Sequence, residues 1–275
     1  MRMVDKAIQK KMETVKKSLQ GKKVLVAFSG GVDSTVMARL ALEFCAKVLA
    51  VTANSKIEPP NELEEAKCIA KELEVDWESI EINPLANQNF HANPPNRCYF
   101  CKKEIMTALI ALAKKKNLDY IIDGTNYDDL RDFRPGYRAV QELNIKSPLA
   151  EAGITKQEIR LIAKEYNLSV FNKPAMACLA SRIPYGNEIT EQKLTMIAEA
   201  ETVIKNLTDV SVVRVRHHGT IARIEVPPEE RSKLFNQKVL DQINAALNKV
   251  GFVYVTLDLQ GYRSGSMNES LKEAP

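Results

Sequence analysis

Val24-Leu25-Val26-Ala27-Phe28-Ser29-Gly30-Gly31-Val32-Asp33-Ser34 joins two patterns with almost nothing between them. Val24 to Phe28 is an apolar run of strand length, as expected for a strand buried on both faces, and a helical pattern runs from Ser34 to Cys45. A strand that ends in Ser-Gly-Gly and turns straight into a helix aims several backbone N–H groups and the positive helix end at one point, which suits a phosphate. Gly30 and Gly31 let the chain approach that ligand closely. The G-x-x-x-x-G-K-[ST] spacing and its lysine are absent, so γ-phosphate transfer of the kinase type is not indicated. Asp33, at the helix start, can hold Mg²⁺ or cap the first turn; a plain Gly-Gly turn capped by Asp33 or Ser34 is the simpler alternative.

On either side of this stretch, strand and helix patterns alternate. Val48 to Thr52, Trp77 to Ile82 and Tyr120 to Asp123 read as further strands. Between and after them come a helix from an Asn61/Glu64 capping box to Leu73, one from the Pro84–Asn96 loop to Lys116, and one capped by Thr155 and Glu158 that ends near Tyr166. Val4, Ile8, Met12, Val15 and Leu19 place an amphipathic helix over the first twenty residues. The alternation predicts an α/β fold with a doubly wound parallel sheet, whose ligand is expected at the C-terminal ends of the strands. Thr52-Ala53-Asn54-Ser55 and Asp123-Gly124-Thr125-Asn126-Tyr127-Asp128-Asp129 both fall there.

The composition shifts after Ile183-Pro184-Tyr185-Gly186, which divides the chain into residues 1–186 and 187–275. The second part reads as a compact α+β domain of about ninety residues. It has a Thr190-capped helix to about Leu207, strands over Ser211–His217 and Thr220–Val226 separated by His218-Gly219, a helix from about Glu229 to Lys249, and a strand over Phe252–Leu257. The end of the chain after Gly261 is expected to be mobile.

A formal charge of +4 and an isoelectric point near 8.7 permit an anionic substrate but fall short of a dedicated nucleic-acid binder. No apolar run approaches the roughly 20 residues needed to cross a bilayer, and the Lys-rich start has no signal-peptide core, so the expected compartment is the cytoplasm, with no membrane partner. The 5 cysteines are odd in number and irregular in spacing, which argues against a disulfide-stapled fold.

Ser-Gly-Gly-x-Asp-Ser after an apolar strand resembles the PP-loop ATPases, which cleave ATP between its α- and β-phosphates and leave an adenylated intermediate. The resemblance implies ATP and Mg²⁺ as cofactors, bound by Ser29, Gly30, Gly31, Asp33 and Ser34. It also implies that Thr52 and Asn54 pass near the adenine, that Gly124 lets the backbone approach the ribose or α-phosphate, and that Asp128 or Asp129 helps to hold metal or substrate. For each of these single residues, ordinary polar loop chemistry stands beside the functional reading.

Cys98-Tyr99-Phe100-Cys101 lies between a Pro-rich loop and a helix, and Cys178 lies in Lys173-Pro174-Ala175-Met176-Ala177-Cys178-Leu179-Ala180-Ser181-Arg182. Three thiolates are too few for a closed four-thiolate zinc site. They can hold three irons of a 4Fe-4S cluster and leave the fourth open to hydrosulfide. A redox dithiol at Cys98 and Cys101, a zinc site completed by His91, and unrelated thiols are the alternatives. Cys45 and Cys68, within helical patterns, are expected to be buried and inert.

Together with S-G-G-V-D-S, the segments N-R-C-Y-F-C, C-L-A-S-R-I-P-Y-G and R-V-R-H-H-G-T-I-A-R-I-E-V resemble the LarE family of ATP-dependent sulfur transferases over essentially the whole chain. The resemblance implies adenylation of a carboxylate of a pyridinium biscarboxylate mononucleotide and its replacement by a thiocarboxylate, on the way to the nickel-pincer cofactor. One type in the family sacrifices the sulfur at the position of Cys178; another has three cysteines and holds a cluster, and Cys98, Cys101 and Cys178 match the latter. Arg214 and Arg216 match a basic pair that binds the substrate phosphate and, as alternate strand residues, face one side; two solvated arginines are the simpler alternative. Glu201 and Glu225 resemble acidic positions near that site, and Arg182 can neutralise the adenylate or the substrate carboxylates. The implied partners are a small phosphorylated pyridinium substrate, sulfide or a sulfur donor, and further copies of the chain in a homo-oligomer, with no nucleic acid. The other readings are tRNA thiolation, an amidotransferase-like ligase and a non-catalytic adenine-nucleotide sensor.

Overall fold

A computed structural model describes residues 6–131, 134–174, 176–263 and 265–269. In chain order the elements are α1 (Lys6–Leu19), β1 (Lys23–Ala27), α2 (Val32–Phe44), β2 (Lys47–Asn54), α3 (Glu62–Glu72), β3 (Trp77–Glu81), α4 (Gln88–His91), α5 (Arg97–Lys115), β4 (Tyr120–Ile122), α6 (Pro135–Glu142), α7 (Pro148–Glu151), α8 (Lys156–Glu165), α9 (Glu191–Leu207), β5 (Arg214–His218), β6 (Ile221–Glu225), α10 (Gln237–Val250) and β7 (Tyr254–Leu257). Val4 of the expected first helix, Ala175, and residues 264 and 270–275 of the chain end expected to be mobile lie outside the described residues.

Residues 1–55, 60–84 and 96–176 pack as one compact unit; residues 56–59, 85–95 and 177–275 pack as a second. The break that composition places after Gly186 thus falls inside the second unit, which also takes in two short segments from the first half of the chain.

The first unit is built on a four-stranded sheet in the order β3-β2-β1-β4, parallel throughout. Successive residues of β1 serve opposite faces. Val24 and Val26 join a core with Val36, Leu40, Ile159 and Ile162, from α2 and α8. Leu25 joins another with Met106, Leu109 and Val140, from α5 and α6. This two-sided burial is why β1 reads as an unbroken apolar run, and it confirms the doubly wound fold. The chain steps from β1 through β2 to β3 on one side, then returns to place β4 on the other, so the order reverses between β1 and β4. Ligands of such sheets bind in the crevice at that reversal, outside the carboxyl ends of the strands.

Helix starts divide into a confirmed and a corrected expectation. Thr155 has extended backbone and forms the full capping box with Glu158. Asn61 instead sits at φ 71° and makes no side-chain cap bond; the box fails because a capping side chain reaches the N2 or N3 amide from extended backbone.

The second unit carries the mixed sheet β5-β6-β7, with β5 antiparallel to β6 and β6 parallel to β7. The hairpin turns at Gly219, φ 65°. A parallel partner needs a crossover, and α10 supplies it, burying Ile243 and Leu247 against Val213, Val215, Ile224 and Phe252. The single helix expected from Glu229 is two pieces, a 3-10 turn over Pro228–Leu234 and then α10, because the Asn236 side chain accepts from the Lys238 and Val239 amides and starts a new helix. Among the described residues, no helix is long and apolar enough to cross a membrane.

Candidate functional site

The link between β1 and α2 is held by its own hydroxyls. Ser34 Oγ accepts from the Ser29 amide at 3.2 Å, donates to the Gly31 carbonyl at 3.1 Å and lies 3.1 Å from Ser29 Oγ. Gly30 is at φ 67°, and a Cβ there would sit 2.9 Å from Ala66 Cα. The loop therefore excludes a side chain at its bend, which lies at the positive end of α2. Gly124, just past β4, comes equally close: a Cβ would stand 2.7 Å from the Ser34 amide nitrogen. Ser29, Gly30, Gly31, Asp33, Ser34 and Gly124 are thus gathered at the β1/β4 reversal.

Asp33 begins α2, and its carboxylate accepts from Asn126 Nδ2 at 3.2 Å and pairs with Lys156. Asn126 Oδ1 accepts the amides of Asp128 and Asp129, and Asp128 accepts the Lys156 amide at 2.8 Å. Asp129 pairs with Arg134 at 2.8 Å. Burial pushes the Asp129 carboxyl up, Arg134 and the Asn126 amide oppose this, and the Asp33 charge adds to it. Mg²⁺ is commonly held by one or two carboxylates plus phosphate oxygens, and Asp33, in the first turn of α2, fits that donor set. Asp123, nearly fully buried, is held by Ser147, Thr125 and, at 3.8 Å, Lys102.

Thr52 and Asn54 lie at the end of β2, where both are engaged in the sheet's own edge: Thr52 accepts from Trp77 Nε1 at 2.9 Å, and Asn54 donates to Glu81 at 2.8 Å. Two lysines that sequence reasoning passed over are at the loop. Lys156 reaches Asp33, and Lys173 Nζ donates to the Gly30 carbonyl at 3.2 Å while pairing with Glu65 at 2.8 Å. The Thr155 cap marks the start of α8, but no local pattern connects its next residue to a carboxylate 123 positions away.

Cys98 and Cys101 stand one turn apart at the start of α5, in the first unit, with Cys98 exposed and Cys101 half-buried. Cys178 belongs to the second unit and is half-buried. Among the described residues, no three His, Cys, Asp or Glu side chains are gathered to hold a metal ion. None of the five cysteines forms a disulfide. Cys45, expected to be buried, is half-buried, and that burial pushes its thiol up to about 11, as an inert thiol requires. Cys68, expected to be buried, is exposed because it lies on the outer face of α3, whose buried residues are Ala66, Ile69 and Ala70.

In the second unit, Arg182 is fully buried and forms a two-pronged pair with Glu201, Nε to Oε1 at 2.9 Å and Nη2 to Oε2 at 3.0 Å. Its Nη1 holds the carbonyls of Ala177 and Cys178. Glu201 also accepts the Val215 amide at 3.0 Å, which ties α9 to β5. Arg214 and Arg216 are both buried on β5. Arg216 pairs with the fully buried Glu225 at 2.6 Å and donates to Ser266. Arg214 donates to the Val213 carbonyl and stacks on Tyr262, but among the described residues no carboxylate pairs with it. Burial and the neighbouring Arg182 charge lower its pKa.

A sequence profile of the NAD synthase family matches residues 3–128, the stretch that carries the phosphate loop and all four strands of the parallel sheet. The chain is 36% identical over 256 residues, 92% of its length and 91% of the relative's, to the pyridinium-3,5-bisthiocarboxylic acid mononucleotide synthase of Lactiplantibacillus plantarum. It belongs to that synthase's family, LarE. An uncharacterised protein of Synechocystis sp. is 44% identical over 90% of the chain and 93% of its own length. A tRNA-specific 2-thiouridylase of Halothermothrix orenii is similar over a shorter span, 28% identical across 55% of the chain and 53% of the relative. LarE membership therefore rests on both units, whereas the thiouridylase likeness covers little more than half of the chain.

Proposed function

We propose that this chain is an ATP-dependent sulfur transferase that adenylates a carboxylate of a pyridinium biscarboxylate mononucleotide and replaces it with a thiocarboxylate, in nickel-pincer cofactor synthesis. The observation that carries this reading is the likeness to the bisthiocarboxylic acid mononucleotide synthase over nearly the full length of both chains. The loop amides of Gly30 and Gly31, with the N-terminus of α2, oppose charge that develops on departing pyrophosphate, and Asp33 would hold Mg²⁺ against the same phosphates. Arg214, buried without a carboxylate partner among the described residues, suits a substrate phosphate, while Arg216 beside it is already paired with Glu225. Arg182, with Glu201, fixes the backbone of Cys178. An acyl adenylate makes a poor electrophile into a good one, and the nucleophile it requires is sulfur.

For the sulfur we propose a 4Fe-4S cluster on Cys98, Cys101 and Cys178, which would supply hydrosulfide on its open iron. The donor set supports it, although the described side chains do not present an assembled three-ligand group. The other route is transfer of the Cys178 sulfur itself. Anaerobic incubation with ATP and the pyridinium nucleotide, with and without sulfide, followed by mass spectrometry of product and protein, separates them. Repeated turnover that depends on sulfide, in protein with about four irons, supports the cluster. One product per chain with Cys178 shortened to dehydroalanine supports sacrifice, and absence of thiocarboxylate under all conditions overturns sulfur transfer to this substrate. We further propose a homo-oligomer located in the cytoplasm, the former checked by light scattering.

A further inference from the structure

We infer that Tyr262 and Ser266, on the stretch of chain that follows β7, are positioning residues for the substrate phosphate, because between them they keep Arg214 oriented and unclaimed by a carboxylate. The inference rests on the proposed phosphorylated substrate. Arg214 and Arg216 alternate along β5, and the antiparallel register sets Glu225 opposite Arg214 and Arg223 opposite Arg216. Directly opposite residues of unlike charge are the natural pairs of a sheet face, so Glu225 would be expected on Arg214. It is turned diagonally instead, onto Arg216 at 2.6 Å and Arg223 at 3.0 Å. Ser266 Oγ accepts from Arg216 Nη2 at 3.1 Å and lies 3.2 Å and 3.4 Å from the two Glu225 oxygens, to which it donates. Arg216, Glu225 and Ser266 thereby close a triangle that holds the carboxylate away from Arg214.

Tyr262 acts on Arg214 itself. The guanidinium carbon lies 5.5 Å from the centre of the Tyr262 ring. A ring face favours the cation and uses none of the guanidinium N–H donors, which all lie in the plane of the group. Among the described residues, Arg214 donates a single hydrogen bond, to the Val213 carbonyl, so in-plane donors remain for a ligand. Burial, and then Arg182, oppose the Arg214 charge; a phosphate dianion would relieve both. The stretch that presents Tyr262 and Ser266 has supports of its own. Gly261 turns at φ 78°, where a Cβ would stand 2.6 Å from the Val226 carbonyl oxygen, and the Tyr262 amide donates to that oxygen at 2.7 Å. Asp258 accepts the Gln260 and Gly261 amides and pairs with Arg223, and Asn268 accepts from the Tyr185 hydroxyl at 2.9 Å. These supports are separate from the arginine pair, so a change at Tyr262 or Ser266 leaves the stretch tied down.

The test is the binding of the pyridinium biscarboxylate mononucleotide, and of the matching nucleoside without its phosphate, to full-length wild type, Tyr262→Leu, Tyr262→Phe and Ser266→Ala, with ATP binding and thermal melting measured alongside. A stacked guanidinium and a hydrogen bond to a charged group each imply that Tyr262→Leu and Ser266→Ala weaken the mononucleotide by about 10-fold. The nucleoside and ATP should stay within about 2-fold of wild type. Tyr262→Phe keeps the ring face and should keep most of the affinity. Equal binding of the mononucleotide by wild type, Tyr262→Leu and Ser266→Ala overturns the assignment, and so does an equal loss for mononucleotide and nucleoside, which a purely structural role would produce. A wild-type protein that does not distinguish mononucleotide from nucleoside would instead remove the phosphorylated-substrate reading on which the assignment stands.

Discussion

At the scale of single residues, close approach governs the loop between β1 and α2. A methyl group at Gly124 would meet the Ser34 amide nitrogen at 2.7 Å and the Asp33 carbonyl carbon at 2.9 Å, backbone atoms with nowhere to go. Gly124→Ala should therefore cost about 1–3 kcal/mol of stability and weaken ATP measurably, as titration calorimetry and urea unfolding would show together. Arg182 makes a different demand. It is fully buried, and its removal leaves Glu201 as an unpaired buried charge. Arg182→Met should cost about 3–5 kcal/mol, and the double change with Glu201→Leu should recover much of that; urea midpoints of the single and double variants decide it. The Ser-Gly-Gly-x-Asp-Ser loop was legible in the sequence because its geometry is local, made by Ser29, Gly30, Gly31 and Ser34 within six positions. Lys156 was not, because its pair with Asp33 is created only when α8 packs against α2.

At the scale of elements, the two capping expectations offer a controlled comparison, since Asn61-x-x-Glu64 and Thr155-x-x-Glu158 look alike as sequence. Only the second is a box. Thr155→Ala should lower stability by about 1 kcal/mol, whereas Asn61→Gly should be neutral or stabilising, because φ 71° suits glycine better than any side chain. Thermal melts of both variants check the contrast. Strands were read correctly from sequence because burial on two faces makes apolar runs, as in β1 and β2. The short helices α4, α6 and α7 were not predicted; none is longer than 8 residues, too short for an apolar period to declare itself.

At the scale of the whole molecule, acid stability reflects carboxylates of opposite sign. Burial alone would raise Glu158, but Lys11 and Thr155 outweigh it and hold its pKa below the ordinary range. Asp258 is likewise held down, by the Gln260 amide, Arg223 and Arg263 against burial. Depressed carboxylates give stability that is complete above their unfolded values, about 4, and is lost as pH falls through the folded ones. Asp129, raised by burial, acts in reverse: its contribution is complete below about 4 and disappears as pH rises through its folded value. Urea unfolding between pH 7 and pH 3 should show a net loss of stability towards acid, and Asp129→Asn should make that loss steeper. The contribution of residues 56–59 and 85–95 to the second unit was not legible in the sequence, because such short segments have no signature of their own. Those segments bear on how the protein is made. Leu179 donates to the Ile57 carbonyl, the Asn93 side chain holds the carbonyls of Pro184 and Asn187, and Ile189 donates to the His91 carbonyl. A ribosome delivers Ile57, His91 and Asn93 long before their partners. The second unit therefore lacks part of its own bonding until residues 177–275 have been made, and residues 177–275 expressed alone should be less stable than the same unit in the full chain, as urea unfolding of both would show.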